Sequence, residues 1–395
     1  MKLLQAKLAQ YQEPQKAKAL GIYPYFREIE SEQDTEVYMH GKKVLMFGSN
    51  CYTGLVNDKR VHEAAIKAIQ KYGTGCAGSP FLNGTLDIHK KLERRLADYV
   101  GKEDAMVYST GFGVNLGVVS TLTGRGDYII CDEQDHASII EGRRLSFSNY
   151  LKYKHNDMAS LEEQLKKCEP DRVKLIVTDG VFSMEGDVCN LPEICDLARK
   201  YKAAVMVDEA HSIGVFGEGG RGVCNHFGLT DEVELIMGTF SKAFASLGGF
   251  IACDETITNF LRHHSRSYIF TASITPASTA AVDAALDIML NEPERQEQLW
   301  KVTHYALDGF RAMGCEIGNT STPIIPLYIR DQNKTFAITA ELLNEGIFVN
   351  PVVSPAVAPQ DTLIRYSLMA THTKEQVDFS LEKIQKVFRK FGVIK

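Results

Sequence analysis

The chain has 395 residues, 44% of them apolar and 24% charged, enough to bury a large core and to divide into about two or three domains. A formal net charge of −6 without a long basic or acidic block argues against a nucleic-acid groove and a polybasic membrane anchor, and favours small-molecule partners. Nine cysteines with no C-x-x-C pair, and a start, Met-Lys-Leu-Leu-Gln-Ala-Lys, without an apolar signal core, point to a reducing cytoplasm. No apolar run approaches the roughly 18 residues that span a bilayer, so any membrane contact is expected to be peripheral.

The first 45 residues are charged and weakly periodic, with a helix expected up to Leu20 and an aromatic segment from Tyr23 to Phe26; they read as an arm. From Met46 the pattern alternates. A helix over 58–72, a glycine-rich turn and a helix over 86–100 precede apolar runs at 105–108, 128–131, 175–178, 204–207, 235–237 and 250–252, with helical stretches between several of them. This is α/β order and predicts a mostly parallel central sheet with helices on both faces. After Pro276 come a long helix through Leu290, a second over 295–313, and short strand and turn segments around 323–327 and 364–368. The expected division is an arm over 1–45, a large domain over 46–276 and a smaller C-terminal α/β domain over 277–395.

Two of the apolar runs end in ionisable groups. Run 204–207 leads into Asp208 and, in Asp-Glu-Ala-His, into His211; run 235–237 leads through Gly-Thr-Phe-Ser to Lys242. Strand ends are where α/β proteins keep their chemistry. A lysine of pKa near 10.4 is unprotonated in only about one molecule in 2,500 at pH 7, so a nucleophilic lysine needs burial or a carbonyl cofactor. Pyridoxal phosphate supplies that carbonyl, and its pyridine nitrogen takes a carboxylate partner that keeps the ring protonated. Asp208 suits that place, and His211 suits the neighbouring ring oxygen. Taken singly, Asp208 is a capping or salt-bridged acid and Lys242 a surface lysine; taken together at two strand ends they favour an enzyme. No metal site is expected.

Other segments carry two readings each. Gly73-Thr-Gly-Cys-Ala-Gly78 matches G-x-G-x-x-G but follows a helix, which removes the dinucleotide fingerprint. Ser109-Thr-Gly-Phe-Gly113 follows a strand and opens a helix near Val114, so its amides suit a phosphate, although a plain strand-to-helix turn explains it equally well. Thr239 and Ser241 offer hydroxyls to the same phosphate. His136 stacks on a flat cofactor or belongs to a helix-capping cluster in which Ser138 serves as the cap. Arg365 shares a strand face with Leu363 and Ser367 and either clamps a carboxylate or makes a structural ion pair. Asn50 is similarly open.

The strings Gly21 to Arg27, Val44 to Asn50, Phe81 to His89, Gly238 to Gly249, Asn350 to Ala356 and the segment ending at Thr373 identify the chain as resembling the α-oxoamine synthases nearly end to end. These are fold-type I pyridoxal phosphate transferases that join an amino acid to an acyl-CoA with loss of carbon dioxide. The resemblance implies Lys242 as the cofactor lysine, Asp208 on the pyridine nitrogen, His211 on the ring oxygen and His136 stacked over the ring. It implies Gly111, Phe112, Thr239 and Ser241 on the phosphate, Ser183 near the ring, and Asn50 and Arg365 on the substrate carboxylate. Family members are homodimers, so Ala272 and Ser273 are expected to reach a partner's phosphate. Ser241 before the lysine and the flanking strings point to L-serine and palmitoyl-CoA as substrates, giving 3-oxosphinganine, CoA and carbon dioxide; glycine, alanine or cysteate with another acyl-CoA is the neighbouring alternative. A non-catalytic partner subunit is disfavoured because such subunits lack the lysine. The chain departs from the family pattern at Pro80, where relatives carry arginine, which removes a charge and a donor.

Overall fold

The computed structural model describes residues 2–395. Its elements begin with α1 (Lys2–Leu8), α2 (Glu13–Ala19), β1 (Glu36–Met39), β2 (Lys42–Met46), α3 (Lys59–Tyr72), α4 (Asp87–Val100), β3 (Asp104–Tyr108) and α5 (Gly111–Leu122). There follow β4 (Tyr128–Asp132), α6 (Ala137–Leu145), β5 (Asn149–Tyr153), α7 (Met158–Leu165), β6 (Lys174–Asp179), α8 (Leu191–Tyr201), β7 (Ala204–Asp208), α9 (Val223–His226), β8 (Leu235–Thr239) and β9 (Gly249–Cys253). The chain ends with α10 (Glu255–His264), α11 (Arg266–Ile269), α12 (Pro276–Asn291), α13 (Pro293–Ala312), β10 (Ile324–Tyr328), α14 (Gln332–Asn344), β11 (Ile347–Phe348), β12 (Asn350–Val352), β13 (Leu363–Ser367) and α15 (Lys374–Lys390).

The chain forms two compact units. The larger, Asn50–Trp300, holds a seven-stranded sheet in the order β3-β9-β8-β7-β6-β4-β5. Neighbours from β8 to β5 pair in parallel, while β9 runs against both β3 and β8. Strand alternation sends Met106, Tyr108, Ile129, Cys131, Leu175, Val177, Met206, Met237 and Ile251 to one face, where Val114, Val118 and Val119 of α5 and Ile139 of α6 close over them. Each such fully buried aliphatic side chain contributes about 1.5–3 kcal/mol. This sheet and its covering helices fit the fold-type I architecture.

The smaller unit joins the residues up to Ser49 to Lys301–Lys395. It has one sheet of order β1-β2-β11 and one of order β10-β13-β12. Phe47 stacks between Tyr366 at 4.5 Å and His372 at 4.4 Å, and its carbonyl accepts the Ser367 amide at 2.8 Å. The helix expected up to Leu20 is broken into α1 and α2.

The division differs from the expected one at both boundaries. The first segment is no separate arm, because β2 pairs with β11 and its chain end stacks on C-terminal aromatics. Helix α12 stays with the larger unit, where Asp283 pairs with Lys91 and Arg95 of α4. All nine cysteines are free. No described helix is long and apolar enough to cross a membrane.

Candidate active site

Three neighbouring parallel strands of the larger sheet end on side chains that line one cavity. β6 ends at Asp179, β7 at Asp208 and β8 at Thr239. In a parallel sheet these carboxyl ends lie along one edge, and a cavity of about 270 Å³ opens there. Lys242, Asp208, His211, His136, Gly111, Phe112, Thr239 and Ser241 all line it, as do Asn115, Ser138 and Asp179.

Asp208 is buried, and both carboxylate oxygens are held: Asn115 Nδ2 donates to Oδ2 at 2.6 Å and the Ala210 amide donates to Oδ1 at 2.9 Å. Asn115 also donates to Ser138 Oγ at 2.8 Å, which lies 2.7 Å from His136 Nδ1. The Ser138 amide donates to that same nitrogen at 3.2 Å. His136 itself therefore caps α6, and Ser138 is its partner, reversing the expected assignment of the cap. Because Nδ1 accepts, the neutral ring carries its hydrogen on Nε2. Burial, and then the Lys242 charge, hold the His136 pKa below the ordinary imidazole value against the opposing pull of Asp208.

Asp179 accepts the His136 amide at 2.7 Å, and its own amide donates to Asp135 at 3.1 Å. Burial, then the adjacent Asp208 charge, push the Asp179 carboxyl well above the usual carboxylate range. Asp135 moves the same way, from burial and then the Asp179 and Asp132 charges. The neutral form is thus favoured at Asp179, on the cavity wall, by burial and the Asp208 charge.

Lys242 follows β8 in a turn pinned by Phe240 N to Gly248 O at 2.9 Å, and by the Thr53 hydroxyl donating to Ala243 O at 2.5 Å. Across the cavity, Thr110 caps α5 by accepting the Gly113 amide at 2.9 Å. Gly111 begins that helix against Thr239: a Cβ there would come within 2.5 Å of Thr239 Oγ1, so only glycine brings the helix start so close. Thr239 Oγ1 and Ser241 Oγ lie 3.0 Å apart beside the first-turn amides, a donor set suited to a phosphate.

The remaining expected residues lie elsewhere. Ser183 falls in the turn after β6 and does not line the cavity. Asn50 lies 3.4 Å from the Tyr52 hydroxyl. Ala272 and Ser273 are outside their own chain's cavity; the Ala272 carbonyl accepts the Ser109 hydroxyl, and Ser273 Oγ is buried with no hydrogen-bond partner. Arg365, on β13 of the smaller unit, is buried and donates to Ser367 Oγ at 2.7 Å, on the face that strand alternation predicts. Asn115, Asp179 and Tyr52 went unread because their roles arise from contacts across the fold. Thr110, two residues after a strand and three before Gly113, carried a readable capping signal.

A lysine, a doubly held carboxylate and a hydroxyl-rich helix start around one cavity define a pyridoxal phosphate site, and the chain belongs to the aminotransferase class I and II family, whose pattern spans residues 42–384. It is 65% identical over 394 residues to the serine palmitoyltransferase of Bacteroides thetaiotaomicron, with 100% of both chains covered. It is 56% identical to that of Sphingobacterium spiritivorum, covering 98% of this chain and 97% of the other. Its structure matches the serine palmitoyltransferase of S. paucimobilis with bound PLP–myriocin at a TM-score of 0.96 and 34% identity, covering 99% and 100% of the two chains. Pyridoxal phosphate is the cofactor, and the residues of the cavity suit it: hydroxyls and first-turn amides gather where glycine lets the start of α5 approach Thr239, and Asp208 is a buried carboxylate with both oxygens oriented.

Proposed function

We propose that this chain condenses L-serine with palmitoyl-CoA, releasing CoA and carbon dioxide to give 3-oxosphinganine, the first step of sphingolipid synthesis. The observation that carries the reading is a cavity bearing Lys242, Asp208, His211 and His136 in a chain 65% identical, end to end, to a serine palmitoyltransferase.

When bound, pyridoxal phosphate supplies a carbonyl for amino groups and a ring that withdraws electrons from the substrate's α-carbon. Lys242, on the cavity wall, would hold the cofactor through its Nζ, and its free amine would be the base that takes the proton from the serine α-carbon and the acid that returns one to the same carbon. Asp208, with both oxygens already oriented, would keep the proton on the ring nitrogen. His211 would donate to the ring oxygen, and the neutral His136 would pack against the ring. Gly111, Phe112, Thr239 and Ser241 would hold the phosphate. Asn50 and Arg365 take the serine carboxylate, for which a guanidinium offers two parallel hydrogen bonds. Ser183, near the strand end but outside the cavity lining, is assigned to the ring only through the resemblance.

We assign Ala272 and Ser273 to the phosphate of a second copy in a homodimer, a place supported by the unpartnered Ser273 hydroxyl. A cytoplasmic enzyme of this kind meets long-chain acyl-CoA and releases a lipid product, which favours peripheral contact with a membrane.

The test is a visible spectrum of the purified protein before and after borohydride, then product analysis with serine, glycine, alanine or cysteate. A reducible chromophore and turnover with serine are expected. A protein without the chromophore would refute the cofactor site; turnover with another amino acid but not with serine would refute the substrate.

A further inference from the structure

Tyr52 is fully buried, and its hydroxyl oxygen lies 2.7 Å from Nδ1 of His211. The two ring centroids are 6.0 Å apart and tilted by 59°, so the contact is a hydrogen bond rather than a stack. The direction of that bond follows from acid–base chemistry. A phenol, of pKa about 10, is a far better proton donor than a neutral imidazole N–H, and an imidazole nitrogen, of pKa about 6.5, is a far better acceptor than a phenol oxygen. The Tyr52 hydroxyl has one hydrogen, and the acceptor Asn50 Oδ1 lies at 3.4 Å, near the limit for such a bond. The short contact takes the hydrogen.

The geometry points to Tyr52 as a positioning residue that fixes the tautomer of His211: by donating to Nδ1 it keeps the ring's own hydrogen on Nε2 and makes His211 a donor to an acceptor in the cavity. This rests on the reading of His211 as the partner of the cofactor's ring oxygen. An imidazole free to place its hydrogen on Nδ1 would turn a lone pair towards that oxygen and repel it. Tyr52 thus stands behind His211 as Asn115 stands behind Asp208, each setting the hydrogen-bonding role of a side chain on the cavity wall.

Neutron diffraction of the deuterium-exchanged holoenzyme tests this directly. Deuterium on Nε2 of His211 and on the Tyr52 oxygen is expected; deuterium on Nδ1 overturns the inference. A second measurement follows the pH midpoint of the holoenzyme's visible band in Tyr52→Phe, which keeps the buried ring and removes only the hydroxyl. A donor on the ring oxygen favours the more negative form, so its weakening raises the midpoint, by about half a pH unit or more. An unchanged midpoint in Tyr52→Phe, where His211→Asn does move it, also overturns the inference. A midpoint that His211→Asn leaves unmoved instead refutes the assignment of His211 to the ring oxygen, while the diffraction result still judges Tyr52.

Discussion

His136 and His155 follow neighbouring strands, β4 and β5, of one sheet, and the protein drives their proton affinities in opposite directions. His136 meets a hydroxyl and an amide at Nδ1, with Lys242 near enough to disfavour a second positive charge. His155 meets carboxylates on both nitrogens: Asp132 at 3.0 Å and Asp187 at 3.4 Å. Burial alone would lower its pKa, but the two hydrogen bonds outweigh it and raise the value to about 9. The same side chain becomes a neutral ring at the cavity and a structural cation one strand away. Hydrogen-bond partners, more than depth, decide which.

The largest expected effect separates these roles. His136→Asn keeps an oxygen to cap α6 but removes the ring, and kcat/KM should fall by about 10²–10⁴-fold with little change in unfolding free energy. His155→Asn should do the opposite, leaving kcat/KM within a few-fold while the buried Asp132 loses its cation, at a cost of about 3–5 kcal/mol in urea unfolding at pH 7. A His155 variant of normal stability and poor turnover would remove the contrast.

The pH dependence carries the same sign. A group whose pKa is raised on folding contributes its full stability below its unfolded value, here 6.5, and loses it as pH rises through the folded value of about 9. The wild-type protein should therefore lose roughly 3 kcal/mol across that window from this group, and the loss should vanish in His155→Asn. Urea unfolding at pH 6 and pH 10 on both proteins measures it.

The central strands were legible because they are buried on both faces and read as apolar runs; β5, Asn149-Tyr-Leu-Lys-Tyr153, was not, because it is a half-polar edge strand. Strands β1 and β2 did carry a signal, alternation around His40-Gly41, whose positive φ values of 50° and 69° mark a two-residue turn. Lys242, Asp208 and His211 were visible at strand ends. Asn115 and Tyr52 were not, since each meets its partner only after the sheet has assembled, 93 and 159 residues away in sequence. The pairing of β2 with β11 is hidden for the same reason, and with it the true extent of the smaller unit.

The smallest expected effect tests the acids behind His136. Asp179 accepts the His136 amide, and burial with the Asp208 charge favours its neutral form. A neutral carboxyl is closely matched by a carboxamide, whose oxygen still accepts that amide. Asp179→Asn should accordingly change kcat/KM by less than about tenfold, within about 1.4 kcal/mol. Asp179→Ala, which leaves the His136 amide without its acceptor, should cost about 1–3 kcal/mol in stability and misplace the ring, with a correspondingly larger loss of kcat/KM. If Asn is as damaging as Ala, Asp179 acts as an anion, and Lys242 then faces two negative carboxylates rather than one. That outcome would also weaken the contrast between the two histidines, because a second anion at the cavity would draw His136 towards the charged state that His155 occupies.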